Sequence, residues 1–313
     1  MPKQCTSKIL MIQPVSFRMN EQTAVNNYYQ KTLESLTPEN VQERALLEFT
    51  RFVNKLEDKG INVIVIEDTL SPDTPDSIFP NNWISFHEDA RVAYYPMFAV
   101  NRRAERREDV VEIIRNNYGL SVKEIVDFTE FESHDKFLEG TGSLVLDREN
   151  KICYAAISVR TDKAAATQFC EQFGYSLCSF SALQSAGDER KTIYHTNVMM
   201  CIADKYAVIC LDTIDNLDER MDVISALEDS GKEIIEISEE QKEHFAGNML
   251  QVVNEDGKPY LVMSTSAHQS LEEEQMTKLE SFNPIIHSEI NTIELCGGGS
   301  ARCMMAEVFL PKI

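Results

Sequence analysis

A thiol, an imidazole and a carboxylate stand out from this chain by what surrounds them. Cys303 follows Gly297-Gly298-Gly299-Ser300-Ala301-Arg302, just past three consecutive glycines and beside a fixed positive charge. Such glycines let a backbone approach a ligand closely or take φ > 0, and a neighbouring guanidinium favours a thiolate. His195, in Ile193-Tyr194-His195-Thr196-Asn197-Val198, opens onto an apolar run and has a polar partner two residues on. Glu139, in Phe137-Leu138-Glu139-Gly140-Thr141-Gly142-Ser143, lies between an apolar edge and two glycines. Carboxylates seldom sit in such stretches unless paired. These three are the parts of nucleophilic thiol catalysis, with the histidine as acid and base. Each has a plainer reading too: an inert thiol in a glycine-rich hairpin between core strands, a satisfied core histidine, and a turn-capping carboxylate. Asp76-Ser77-Ile78-Phe79-Pro80-Asn81-Asn82-Trp83 adds two consecutive amides, which turn chemistry also explains. Arg160 reads as a solvated residue capping the next helix. His87 and His244 read as surface positions, His134 and His268 as weaker rivals of His195, and His287 as a strand residue with no polar companion.

The elements that must position these residues repeat. Lys8 to Pro14 reads as a buried strand ended by proline. Residues 41–59 carry an apolar stripe of helical spacing and stop at Gly60, and 61–66 is the next strand. Strands at 83–86 and 92–95 pair around a polar tip. Helices near 104–118, 163–174, 217–231 and 271–282 each precede a strand and then two further strands: 123–127 with 143–157, 176–180 with 197–212, 233–237 with 248–264, and 284–290 with a closing hairpin at 291–310. Some five units follow one another at roughly 50–60 residues, the signature of a pseudo-symmetric array in which each unit buries its face on its neighbours. The reading is a single α/β domain over residues 1–313, folded as a five-bladed propeller of ββαβ-type repeats. Each candidate residue lies in a different unit, so all would converge on one end of it.

Composition narrows the class. The chain has 313 residues, 43% of them hydrophobic, enough for a packed core. An excess of 51 acidic over 30 basic side chains, formally −21, argues against a phosphate-binding face for nucleic acid and against anionic membranes. No apolar stretch approaches the ~18 residues of a membrane span. The stretch Met1 to Lys8 shows no charged segment followed by an apolar one, so no signal peptide is expected. Eight cysteines without a Cys-x-x-Cys pair fit a reducing cytoplasm rather than a disulfide or zinc framework. Neither metal nor cofactor is expected, the partner is a small molecule, and a homodimer is left open.

The combination Phe-Pro-Asn-Asn-Trp, Leu-Glu-Gly-Thr-Gly-Ser, His-Thr-Asn and Gly-Gly-Gly-Ser-Ala-Arg-Cys resembles the guanidino-group-modifying (pentein) superfamily of arginine deiminases, amidinotransferases and dimethylarginine hydrolases. With Met-Ile-Gln-Pro-Val-Ser-Phe near the start and Tyr95-Pro96-Met97 ahead of Asn101-Arg102-Arg103, it looks most like the citrulline-utilisation hydrolases. The resemblance runs from about residue 8 to 310. It implies Cys303 as nucleophile, His195 as general acid and base, and Glu139 as the carboxylate orienting His195 or the substrate nitrogens. Arg160 matches the arginine that holds the substrate α-carboxylate, assisted by Arg103 or Arg102. Phe79, Asn81, Asn82 and Asn197 fall on substrate-binding positions. Two of these depart from the family pattern. Asn81-Asn82 stands where dimethylarginine hydrolases show Glu-Asp, and His195-Thr196-Asn197 where arginine deiminases show His-x-Asp. The deiminases also carry an arginine upstream of the nucleophile, where this chain has its glycine run. Carboxylates suit a guanidinium, whereas an amide both donates to a carbonyl and accepts from an N–H. The implied activity is therefore hydrolysis of a C–N bond of citrulline. Arginine deiminase or amidinotransferase chemistry is the alternative, and a non-catalytic propeller like the ribosome anti-association factors is a third.

Overall fold

The computed structural model describes residues 3–31, 36–187 and 189–313; Met1 and Pro2 of the N-terminal reading lie outside the described residues. The chain is mixed α/β, built from five separate three-stranded sheets of one design, and no sheet closes on itself. In each, an inner strand pairs antiparallel with a middle strand, and a crossover helix returns the chain to an outer strand parallel to the middle one. The second sheet is Ile84–Phe86, Arg91–Tyr94 and Glu124–Asp127, with helix Glu108–Tyr118. The third is Val145–Asp147, Ile152–Ala156 and Ser176–Phe180, with Lys163–Phe173. The fourth is Met200–Ile202, Tyr206–Ile209 and Glu233–Glu236, with Leu217–Asp229. The fifth is Leu250–Val253, Pro259–Ser264 and Ile285–Ser288, with Glu273–Phe282.

The first sheet draws on both ends of the sequence. Lys8–Gln13 pairs parallel with Asn62–Glu67 and antiparallel with Ala306–Glu307. Its helix, Pro38–Glu57, starts with proline after Thr37, whose hydroxyl accepts from Asn40 N–H, and buries Val41, Ala45, Phe49, Phe52, Val53 and Leu56. Proline at the first turn loses no hydrogen bond, and the threonine satisfies an otherwise free N–H.

Three expectations need correction. The closing hairpin at 291–310 is a helix, Asn291–Gly297, followed by turns and the two-residue strand Ala306–Glu307. The Glu48 carboxylate accepts from Thr292 N–H and Ile293 N–H and so caps the new helix, a long-range contact invisible to local periodicity. Arg160 does not cap the helix after it; Asp162 does, accepting from Ala164 N–H and Ala165 N–H. His87 is buried, stacked on Phe173 at 4.0 Å with its Nε2 2.9 Å from Ser85 Oγ. A further hairpin, Leu183–Ala186 with Glu189–Thr192, went unread because its residues are too polar to alternate. No helix among the described residues is long and apolar enough to cross a membrane.

Candidate active site

The site assembles where the inner strands begin. Pro80–Asn82 runs into Ile84–Phe86, Glu139 with Gly140–Ser143 into Val145–Asp147, and His195 with Thr196–Val198 into Met200–Ile202. Asn248 precedes Leu250–Val253, and Cys303 precedes Ala306–Glu307. Each sheet thus contributes one segment to a common end. Backbone contacts lock the segments together: Thr196 Oγ1 donates to Ser143 O at 2.6 Å, and Glu139 N–H to Arg160 O at 3.2 Å. Gly142 is required here, because a Cβ would come within 2.5 Å of Asn82 Nδ2 and 2.9 Å of His195 Nδ1. The Phe79 ring likewise lies where a side chain on Gly297 or Gly299 would stand.

Glu139 is fully buried and accepts from Phe98 N–H at 3.0 Å through Oε1. Its Oε2 is 2.7 Å from His195 Nε2, 3.5 Å from Arg160 Nη1 and 3.9 Å from Arg102 Nη1. Burial opposes its charge, but Arg160, His195 and Arg102 together hold the carboxyl well below the usual carboxylate range. Burial pushes His195 the other way, down to about 4, since Glu139 only partly offsets it and Arg160 and Arg102 add to it. The imidazole is neutral near pH 7, with Nε2 committed to Glu139 and Nδ1 left for chemistry.

Cys303 is buried and ringed by amides. Asn248 Nδ2 lies 3.3 Å from Sγ and Asn197 Nδ2 3.5 Å. Asn248 also donates to Asn197 O at 2.9 Å and accepts from Arg302 N–H at 3.0 Å. Tyr194 donates its hydroxyl to Gly298 O at 2.6 Å, fixing the glycine turn, and its ring lies 4.9 Å from the Arg160 guanidinium.

Of the residues expected from sequence, Phe79, Asn82, Arg160, His195 and Cys303 line one pocket. Glu139 bonds His195 from behind it, and Asn197 touches the sulfur. Asn81 stands one layer back, its Oδ1 accepting from Asn82 Nδ2 at 3.1 Å. Arg103 is not brought to the pocket: its Nε donates to Met97 O, and its guanidinium lies over Phe137. Arg102 takes that place, donating to Asn82 Oδ1 at 2.8 Å and to both oxygens of Glu105. Three further residues went unread. Asp76 lines the pocket with Oδ2 accepting from Asn20 and Thr23 and with Oδ1 buried and unpartnered; burial raises its carboxyl. Tyr194 and Asn248 are the others. Asn248 was findable, since it opens the fifth inner strand where His195 opens the fourth.

The cavity between these side chains is about 10 Å³, room for about one water molecule and far below the ~300 Å³ at which ligand pockets usually start, so an amino acid enters only as the surrounding side chains move apart. Among the described residues no cluster of three or more His, Cys, Asp or Glu could hold a metal ion.

A family model described as N,N dimethylarginine dimethylhydrolase, eukaryotic, matches residues 13–310. The chain belongs to this family. The family description is that of a dimethylarginine hydrolase. No curated protein matches the sequence. Among solved structures it is similar to apo ArgZ, an arginine dihydrolase of the ornithine-ammonia cycle in cyanobacteria, with 18% identity and a TM-score of 0.73. That likeness covers 98% of this chain and 41% of ArgZ, so the chain spans about two-fifths of the length of that relative. The N-terminal domain of ArgZ alone, a mutant bound to substrate, gives 18% identity and a TM-score of 0.69, covering 96% of this chain and 97% of that one. A dimethylarginine dimethylaminohydrolase bearing an adduct with S-methyl-L-thiocitrulline gives 14% and 0.63, covering 97% and 99%. At such identities the likeness speaks for the fold, a mixed α/β fold similar to that of the pentein enzymes.

Proposed function

We propose that this family member is a thiol-dependent hydrolase of one free amino acid with a ureido or guanidino head, and that citrulline is its preferred substrate. The observation that carries the reading is the 2.7 Å Glu139–His195 pair beside Cys303 around one closed, small pocket. Residues 1–313 are taken as one domain, with the five sheets as blades of a propeller whose inner strands all start at that pocket. Cys303 is in no disulfide, as a catalytic thiol requires.

In this reading His195 Nδ1 accepts the Cys303 proton and the thiolate attacks the ureido carbon, forming an S–C bond. The C–N bond to the ornithine side chain breaks, and His195 returns the proton to the departing amine. Water then attacks the S-carbamoyl group with His195 as base, freeing the thiol and a carbamate that falls apart to ammonia and carbon dioxide. Glu139 holds the imidazole by Nε2 throughout. Asn82 and Asn197 supply amides where a guanidinium would call for carboxylates, which favours a neutral head. Arg160 binds the α-carboxylate by exchanging Asn26 Oδ1, its present partner along with Thr23 O, for the substrate.

A second reading, arginine as substrate, draws support from the unpartnered buried Oδ1 of Asp76, which a cation would satisfy. Purified protein supplied separately with citrulline, arginine and N,N-dimethylarginine, with ornithine, citrulline, ammonia and dimethylamine assayed, decides between them. We expect ornithine from citrulline with kcat/KM at least about tenfold above arginine, a difference of ~1.4 kcal/mol. Faster citrulline formation from arginine would hand the lead to the second reading. No Cys303-dependent turnover of any of the three would refute both.

A further inference from the structure

The inner strands have a second end. His87 follows Ile84–Phe86, Arg148 follows Val145–Asp147, and Glu307 ends Ala306–Glu307. With about 3.3 Å per strand residue, these groups lie on the order of 10 Å beyond the ends that carry the candidate active site. There Lys3, His87, Arg148, Lys151, Phe173 and Tyr175 wall a pocket of about 280 Å³, together with Glu88 and Asp89.

Its charges do not cancel. Asp89 is taken by Arg91, at 2.8 Å from Nε and 2.6 Å from Nη2; Glu88 accepts only from the neutral backbone N–H of Lys3 at 2.9 Å and keeps its charge, but Lys3, Arg148 and Lys151 outnumber it. Arg148 is only 5% exposed, and its carboxylate, Glu307, is shared: Arg302 Nη2 is 2.9 Å from Glu307 Oε2 and Arg148 Nη2 is 3.5 Å from the same oxygen. Lys151 lies over the Tyr175 ring at 4.5 Å and has no carboxylate within ion-pair distance among the described residues. The cations feel one another. Lys151 is lowered by burial and then by Arg148, which Asp89 and Glu88 only partly offset, and His87 is pushed well below its ordinary value by burial and then by Arg148, Arg91 and Lys151. Glu307 keeps the buried Arg148 charged, but at 3.5 Å, and it stands closer to Arg302. In a chain of formal charge −21, a pocket with excess positive charge is set against the general trend.

We propose that this pocket binds a small oxyanion, the carboxylate or phosphate group of a metabolite, between Arg148 and Lys151. The guanidinium offers a planar fork to such an anion and the ammonium a point charge. Binding gives Arg148 a partner of its own and leaves Glu307 to Arg302. Arg302 N–H is held by Asn248, which touches Cys303, so occupancy is expected to change the reactivity of that thiol.

Calorimetric titration of the full chain with sodium phosphate, and separately with sodium malonate, at constant ionic strength tests the site. It does not depend on the catalytic reading. At least one anion should bind saturably at one site, and the stronger one tells phosphate from carboxylate recognition. Lys151→Gln, at an exposed hairpin tip, should weaken that binding at least tenfold. Arg148→Gln should abolish it, but as a buried residue it is the less secure variant to fold, so the lysine carries the test. The saturating anion should change the iodoacetamide alkylation rate of Cys303 at least twofold in the parent protein and not in Lys151→Gln. No saturation with either anion, or equal affinity in Lys151→Gln, overturns the site. Saturable binding with an unchanged alkylation rate overturns its link to Cys303.

Discussion

Asn248→Asp separates the chemical work of an amide from its structural work. Asn248 makes four side-chain contacts: its Oδ1 accepts from Arg302 N–H and, at 3.7 Å, from the Cys303 thiol, and its Nδ2 donates to Asn197 O and to the Cys303 sulfur. Aspartate keeps both accepting contacts, loses both donations and, if ionised, places a negative charge about 3.3 Å from the sulfur. At an effective dielectric constant of ~20, two like charges at that separation repel by about 5 kcal/mol, or between three and four decades of thiolate population. A buried carboxyl escapes part of this by holding a proton, so the expected loss of Cys303 alkylation at pH 7 is at least tenfold and at most about a thousandfold. Asn248→Ala lacks the repulsion and loses only the hydrogen bonds, about 1–3 kcal/mol of stability. Alkylation by iodoacetamide, mapped to Cys303 by peptide mass, should therefore rank parent, alanine, aspartate in falling rate. Urea unfolding should rank the two variants close together. If Asn248→Asp alkylates as fast as the parent while losing stability, Asn248 is a structural residue and its contact with the sulfur is incidental.

Cys303→Ser should abolish turnover while Cys296→Ser, on the helix before the glycine turn, leaves it; a turnover assay showing the reverse means the nucleophile is misassigned. His195→Ala should lower kcat by about 10²–10⁴-fold, far more than the same change at His134 or His268. Arg102→Gln should raise KM or unfold the site, whereas Arg103→Gln changes kcat/KM less than about threefold, since only Arg102 reaches Asn82 and Glu105. Because His195 titrates at about 4 rather than 6.5, kcat/KM should hold its acid side well below pH 6. The same depression means the unfolded chain takes a proton that the native imidazole refuses, so this group withdraws stability as pH falls from about 6.5 to 4. Glu294 runs the opposite way. Burial pushes it up to about 7 from 4.5 despite its 2.6 Å bond from Ser300, so it withdraws stability as pH rises through 4.5 to 7. Glu294→Gln should thus stabilise at pH 8, by up to about 3 kcal/mol for 2.5 units, and hardly at all at pH 4; equal urea midpoints at pH 8 would sink that account.

What the sequence showed and hid follows from range. The crossover helices and most strands were legible because their burial stripes are local: Val41 to Leu56 repeats at helical spacing, and Ile61 to Ile66 is an unbroken apolar run. The segment at 291–310 was not, because Ile293-Glu294-Leu295-Cys296 suits a strand as well as a helix, and what decides is Glu48, more than 240 residues away in sequence. Arg102 and Arg103 differ only in which way one short helix faces, so charge alone could not rank them. Asp76 was passed over as turn chemistry; its burial depends on Asn20 and Thr23, over 50 residues upstream.

The repeat itself held more than was taken from it. Once five units are recognised, the residue just before each inner strand is singled out by position: Asn82, Glu139 with its glycines, His195, Asn248 and Cys303. Four of the five were picked for their chemistry, and the fifth, an amide in a glycine-bounded turn, was missed because chemistry was the only filter. The structure places all five at one end, and the two without acid, base or thiol are the amides that meet Arg102 and the Cys303 sulfur. Reading the opposite ends of the same strands yields His87, Arg148 and Glu307, the last a carboxylate that Arg148 shares with Arg302. Five sheets of one design therefore offer two sets of equivalent positions, one at each end of their inner strands, and the second set is found by register even where no motif marks it.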